Sequence, residues 1–182
     1  EKANISINID SEKIYMVGFS NGGMLSHRFA AEKSETLAAI AVLGTSIGGR
    51  ASSEEQLWVP RLPKNPVPAL LVHGLSDSIV PIEGGTSPQK GGSRQYLPFN
   101  ESIDFWRRAN ECSESFVIDQ KYAGNVKIQR WKDCRNNSEV LAYTIKGWGH
   151  RWPGLSYTSE KYGLESFDIA EDIWEFFQNF PR

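Results

Sequence analysis

Four short runs, residues 13–18, 37–43, 68–73 and 140–145, are almost wholly apolar and do not alternate with polar residues. A strand with one wet face alternates, whereas a strand buried on both faces reads as a continuous apolar run. Helical patterns separate these runs. After the breaker Asn21-Gly22-Gly23, Met24, Leu25, Arg28 and Phe29 recur at helical spacing up to Glu32. Residues 99–110 place Ile103, Trp106 and Arg107 on one side of a second helix. A last helix opens on Asp168 and Glu171, which read as a capping box, and then shows Ala170, Ile173, Trp174 and Phe177 on one face. Buried strands alternating with helices predict a mostly parallel α/β sheet. At 182 residues the chain suits one domain.

Composition narrows the function classes. Hydrophobic residues make up 40% and charged residues 23%, which excludes a disordered tail. No apolar stretch approaches the roughly 18 residues of a spanning helix. Twenty basic against 22 acidic residues leave a net charge of −2, so there is no general electrostatic reason to bind nucleic acid or an anionic membrane. Cys112 and Cys134 bracket two β-forming runs, 115–122 and 126–131, joined by Ala123-Gly124-Asn125 as in a hairpin. Spacing alone leaves two readings open, one disulfide at the hairpin base or two free thiols. Neither cysteine has a second Cys or His at zinc-ligand spacing, and no metal or cofactor is expected. Sequons at Asn4, Asn100 and Asn136 are near the number chance supplies and decide nothing.

The chemistry begins at Gly18-Phe19-Ser20-Asn21-Gly22, a Gly-x-Ser-x-Gly pattern between an apolar strand and a helix. That context predicts a strained turn projecting the serine Oγ above the sheet edge, with glycines where side chains would meet backbone. The helix N-terminus beneath it favours developing negative charge. A serine hydroxyl also needs a base. Of three histidines, His27 lies on the following helix and reads as structural, and His73 ends the third strand and packs there. His150 sits in the glycine-rich loop after the fourth strand, on the same sheet edge as Ser20, and is the expected base. Asp77 follows the third strand on that edge and is the expected acid that fixes the imidazole. The order Ser20, Asp77, His150 is the one used by α/β-hydrolases. Two glycine- and proline-rich excursions, 44–66 and 81–98, leave the same edge and are candidate pocket walls. Trp58, Trp148 and Trp152 are candidate substrate-binding residues, with plain packing as the alternative for each.

Three pieces carry a resemblance: Gly18-Phe19-Ser20-Asn21-Gly22-Gly23-Met24, then His73-Gly74-x-x-Asp77-x-x-Val80-Pro81, then Gly149-His150-x-Trp152-Pro153-Gly154. Together they resemble the polyhydroxybutyrate depolymerase/feruloyl esterase (LpqC-like) group of the α/β-hydrolase superfamily. The likeness runs from about Asp10 to Phe177. It implies an α/β-hydrolase fold with a disulfide-closed β-hairpin, and a secreted or periplasmic serine esterase acting through an acyl-enzyme. The ester partner would be a polyhydroxyalkanoate, a feruloyl or acetyl polysaccharide, or a small aryl ester. The backbone N–H of Asn21 would be one oxyanion donor. In that group several strands and a His-Gly-type loop carrying the other donor precede the nucleophile strand. The chain is therefore expected to be the C-terminal portion of a longer hydrolase, a single catalytic domain lacking its N-terminal strands. Two rivals stand beside the esterase: a peptidase or amidase of prolyl-oligopeptidase type, which the His-Gly-x-x-Asp segment permits, and an inactive remnant.

Overall fold

The computed structural model describes residues 8–87, 92–154 and 162–182; the Asn4 sequon and Gly91 of the second excursion lie outside them. Its elements in chain order are β1 (Tyr15–Phe19), α1 (Asn21–Glu32), β2 (Ala39–Leu43), β3 (Gly49–Arg50), β4 (Ala69–Gly74), β5 (Gly85–Thr86), β6 (Gln95–Tyr96), α2 (Phe99–Ala109), β7 (Val117–Lys121), β8 (Val126–Trp131), β9 (Val140–Ile145) and α3 (Ile169–Gln178). The four apolar runs become β1, β2, β4 and β9, which pair in parallel in that order. Every residue of β2 and β4 is buried, the condition their unbroken apolar character requires. Helices cover both faces. Ile40, Val42 and Leu71 pack with Ile103 and Trp106 of α2 on one side. Leu43, Leu70 and Leu141 pack with Ile173 and Phe177 of α3 on the other.

The cysteines form one disulfide, Cys112–Cys134, at the base of the β7–β8 hairpin, as the resemblance implies. β8 pairs antiparallel with β9 from Val126↔Ile145 to Trp131↔Val140, so the hairpin extends the central sheet to six strands. One expectation needs adjusting, and it concerns α1. Its apolar positions suggested a buried face through Met24, Leu25 and Phe29, yet the buried residues are Gly23, Ser26, His27, Ala30 and Ala31. Leu25 is 57% exposed. The helix must run close behind β1, and small side chains permit that approach: Ser26 Oγ donates to the Gly22 carbonyl at 2.9 Å, directly under Gly18. His27 is buried where this helix meets α2 and accepts a hydrogen bond from Trp106 Nε1 at 2.9 Å. Asp168 caps α3 by accepting from Ala170 N–H at 2.9 Å, as the first half of the capping box predicts.

The two excursions meet one another. β3, from the first, pairs with β6 from the second, and β6 pairs with β5, giving a small antiparallel sheet beside the strand ends.

Candidate active site

Ser20 occupies the turn between β1 and α1 with φ 55° and ψ −121°, left-handed backbone that a non-glycine residue adopts only under external constraint. Two hydrogen bonds supply it. Ser20 N–H donates to the Leu43 carbonyl at 2.9 Å, and Met24 N–H closes the first helical turn onto the Ser20 carbonyl at 3.1 Å. The glycines divide their duties differently from the sequence expectation. A Cβ on Gly18 would stand 2.3 Å from the Gly22 carbonyl oxygen, and one on Gly23 would stand 2.7 Å from Thr45 Cγ2. One on Gly22 would meet nothing within 4 Å among the described residues. Gly23, outside the five-residue pattern, therefore takes the packing role assigned to Gly22.

The loops after β4 and β9 bring Asp77 and His150 to the same edge. Leu75 N–H donates to the Ile145 carbonyl and Ser76 N–H to the Trp148 carbonyl, each at 2.9 Å. The two loops lie so close that a Cβ on Gly74 would be 2.2 Å from the Trp148 carbonyl oxygen. With the loops tied, His150 Nδ1 lies 2.8 Å from Asp77 Oδ2, and His150 Nε2 lies 2.8 Å from Ser20 Oγ. Asp77 is 6% exposed, and its other oxygen accepts from the N–H groups of Ile79 and Val80, both at 2.9 Å. Burial alone would raise this carboxyl. The His150 hydrogen bond and the two backbone donors outweigh burial and hold it below its ordinary value. A carboxylate fixed in this way accepts the Nδ1 proton and leaves Nε2 free to accept from Ser20.

Two further residues shape the centre. Phe19 packs a tilted ring against His150 at 4.8 Å between centroids. Gly44, just past β2, has φ +52°; a Cβ there would fall 3.0 Å from Phe19 Cε2, 3.5 Å from His150 Nδ1 and 3.6 Å from Asp77 Oδ2. It forms the floor under the imidazole. Its only sequence signal is a glycine at a strand end, which does not separate it from the chain's other 15.

The other sequence candidates fall in different places. Asn21 opens α1, and a first-turn N–H of that kind has no intrahelical acceptor. Trp148 is 2% exposed, packs in the core and donates from Nε1 to the Arg151 carbonyl at 3.0 Å; it is packing and not cleft wall. Trp152 is half-buried against the same core. Trp58 is 46% exposed and lines a groove together with Met24 and Leu25 of α1. His73 is buried, with Nδ1 3.1 Å from the Gly74 carbonyl and its ring edge-on to Phe99, as a packing histidine should be. The described residues contain no cluster able to hold a metal and no helix long and apolar enough to cross a membrane.

A mostly parallel sheet with helices on both faces, a strained serine after β1, a carboxylate after β4 and a histidine after β9 define an α/β-hydrolase arrangement. The model of the phospholipase/carboxylesterase family matches residues 2–93, half of the chain, and the chain belongs to that family. Curated relatives agree. The chain is 28% identical over 162 residues to NocK of Nocardia uniformis subsp. tsuyamanensis, named for an inferred esterase activity, covering 82% of this chain and 45% of that one. It is 26% identical over 149 residues to feruloyl esterase B of Piromyces equi, covering 78% and 25%. It is 22% identical over 174 residues to a bifunctional acetylxylan esterase/xylanase of Neocallimastix patriciarum, covering 93% and 20%. The chain thus spans less than half the length of each of these relatives.

Proposed function

We propose that this chain carries the catalytic residues of a serine carboxylic-ester hydrolase. The observation that carries the reading is the continuous hydrogen-bond chain Ser20 Oγ–His150 Nε2, His150 Nδ1–Asp77 Oδ2, with both links at 2.8 Å. In the first half-reaction Ser20 Oγ bonds to the ester carbonyl carbon while its proton passes to His150 Nε2. The Asp77 carboxylate stabilises the imidazolium. The tetrahedral oxyanion accepts from Asn21 N–H at the positive end of α1. The carbonyl carbon–alkoxy bond then breaks, and the alcohol leaves with the proton from His150. In the second half-reaction water gives a proton to the same nitrogen and its oxygen bonds to the acyl carbon. The carboxylic acid departs and Ser20 recovers its proton.

One N–H is half of an oxyanion hole, and loss of a donor typically costs about 2.7–4 kcal/mol of transition-state stabilisation. Beside the elbow, β1 pairs only with β2 among the described residues, and Val17 on it is 43% exposed. The names of two relatives favour feruloyl or acetyl groups on polysaccharide over polyhydroxyalkanoates as the acyl source. The disulfide favours a secreted or periplasmic setting. Turnover of 4-nitrophenyl acetate and butyrate by the full-length protein tests the reading. The Ser20→Ala variant is expected to lose it, and normal turnover by that variant would overturn the proposal.

A further inference from the structure

The groove holding Trp58 has no part in the steps above. It has a volume of about 360 Å³ and lies between Met24 and Leu25 of α1 and the small β3–β6–β5 sheet. The sheet builds it. Trp58 is bridged to Gly49 by backbone hydrogen bonds of 3.0 and 2.9 Å, and Arg50 pairs with Gln95 across the β3–β6 ladder.

Three guanidinium groups line the groove. Arg28 sits over the Trp58 ring at 5.5 Å and pairs with Glu32 at 2.8 Å. Arg50 donates to Gln95 Oε1 at 2.5 Å and to the Ser53 carbonyl at 2.9 Å. Arg94 lies over the Tyr96 ring at 5.7 Å, with Nη1 3.4 Å from Asn21 Oδ1. Glu55 also borders the groove, yet among the described residues neither Arg50 nor Arg94 has a carboxylate within 4.0 Å. Neutral acceptors hold both in place and leave their charge unmatched, in a protein whose net charge is −2. Such fixed guanidinium forks are suited to oxyanions, to which they offer charge-assisted, often bidentate hydrogen bonds. Position ties the groove to the chemistry, because Asn21 is the residue after Ser20 and consecutive Cα atoms lie about 3.8 Å apart. An anion at Arg94 would thus lie beside the residue that follows the nucleophile, on the first turn of α1.

We infer that this groove is a substrate subsite for an anionic group: the protein takes esters whose non-reacting part is an apolar or ring-shaped body bearing a carboxylate or an equivalent oxyanion. Arg94 and Arg50 hold the anion, while Trp58, Met24 and Leu25 flank the body. The word substrate rests on the esterase reading, whereas the binding itself does not.

The test is calorimetric titration of the full-length protein with benzenesulfonate, an aromatic anion that cleavage of a carboxylic ester cannot produce. Saturable binding is expected, weakened at least tenfold by Arg94→Gln and by Arg50→Gln, and weakened by about 0.5 M NaCl through screening. Circular dichroism of each variant checks that the fold is kept. No saturable binding, or equal binding by correctly folded variants, would overturn the subsite. A second readout is the ratio of kcat/KM for mono-4-nitrophenyl succinate to that for 4-nitrophenyl butyrate. Arg94→Gln should lower this ratio severalfold if the anion lies on the acyl side. The corresponding ratio of 4-carboxyphenyl to phenyl butyrate should fall if it lies on the alcohol side. A subsite whose loss moves neither ratio is not a substrate subsite. If no neutral ester is turned over, the esterase reading fails on its own while the titration still reports on the anion site.

Discussion

Asp77 accepts three hydrogen bonds with its side chain out of contact with solvent, so replacing it separates orientation from charge. In Asp77→Asn the amide oxygen can still accept from Ile79 and Val80 N–H, but the amide nitrogen cannot accept from His150 Nδ1–H. The imidazole then loses the tautomer that takes the Ser20 proton. Ester turnover should fall by about 10⁴ in kcat with little change in KM, read by steady-state kinetics. The carboxyl is held below its ordinary value, so its contribution to stability is fully present above pH ~4 and is lost as pH falls through the folded value. Most of the candidate centre was legible residue by residue because each member lies within five residues of the end of an apolar strand. Gly44 was not. Its requirement comes from the simultaneous approach of Phe19, His150 and Asp77, which are 25, 106 and 33 residues away in sequence. The sequence leaves Trp148 between cleft wall and packing, because a tryptophan beside the base reads the same whether it faces the cleft or, as here, the core.

The contact between α1 and α2 includes one buried hydrogen bond, and the histidine in it gives stability a pH dependence whose sign follows from burial. His27 Nδ1 must be unprotonated to accept from Trp106 Nε1, and burial lowers its pKa to about 3. The unfolded chain binds that proton near pH 6.5 and the folded chain does not. Stability is thus full above pH ~6.5 and declines by up to about 1.4 kcal/mol per pH unit as pH falls towards the folded value. Buried His73 is shifted the same way, again through burial first, and adds to the slope. Replacing His27 by Gln keeps an acceptor for Trp106 but removes the titration. Urea denaturation between pH 7 and 5 should show a shallower loss of stability for His27→Gln than for the parent protein. An equal slope would place the acid sensitivity elsewhere. At this scale the strands were readable and one helix face was not. Hydrophobic periodicity over residues 24–29 marks Met24, Leu25 and Phe29, whereas α1 is chosen for smallness, with Gly23, Ser26 and Ala30 letting it approach β1. The hairpin was recognised in sequence. Its pairing with β9 depends on partners 9–19 residues away and has no local signature.

Across the molecule, the elements that hold the site and those that extend the sheet are separable. The disulfide ties the end of α2 to the end of β8 across 22 residues, at the far side of the sheet from β1. Closing a loop of that length restricts the unfolded chain by about 3 kcal/mol, so replacing both cysteines with serine should lower stability by that order. Specific activity per folded molecule should not change, as thermal denaturation and active-site titration together would show. The six-stranded sheet brings the ends of β1, β4 and β9 to one edge of the molecule, and the family match and the relatives' names make the chain a member of an esterase family. If this edge presents an activated serine, a fluorophosphonate should label the full-length protein there, and peptide mapping locates the label. Stoichiometric modification of Ser20 is expected, abolished in Ser20→Ala and strongly slowed in His150→Ala. Modification of another residue, or equally fast labelling without His150, would overturn the activated serine.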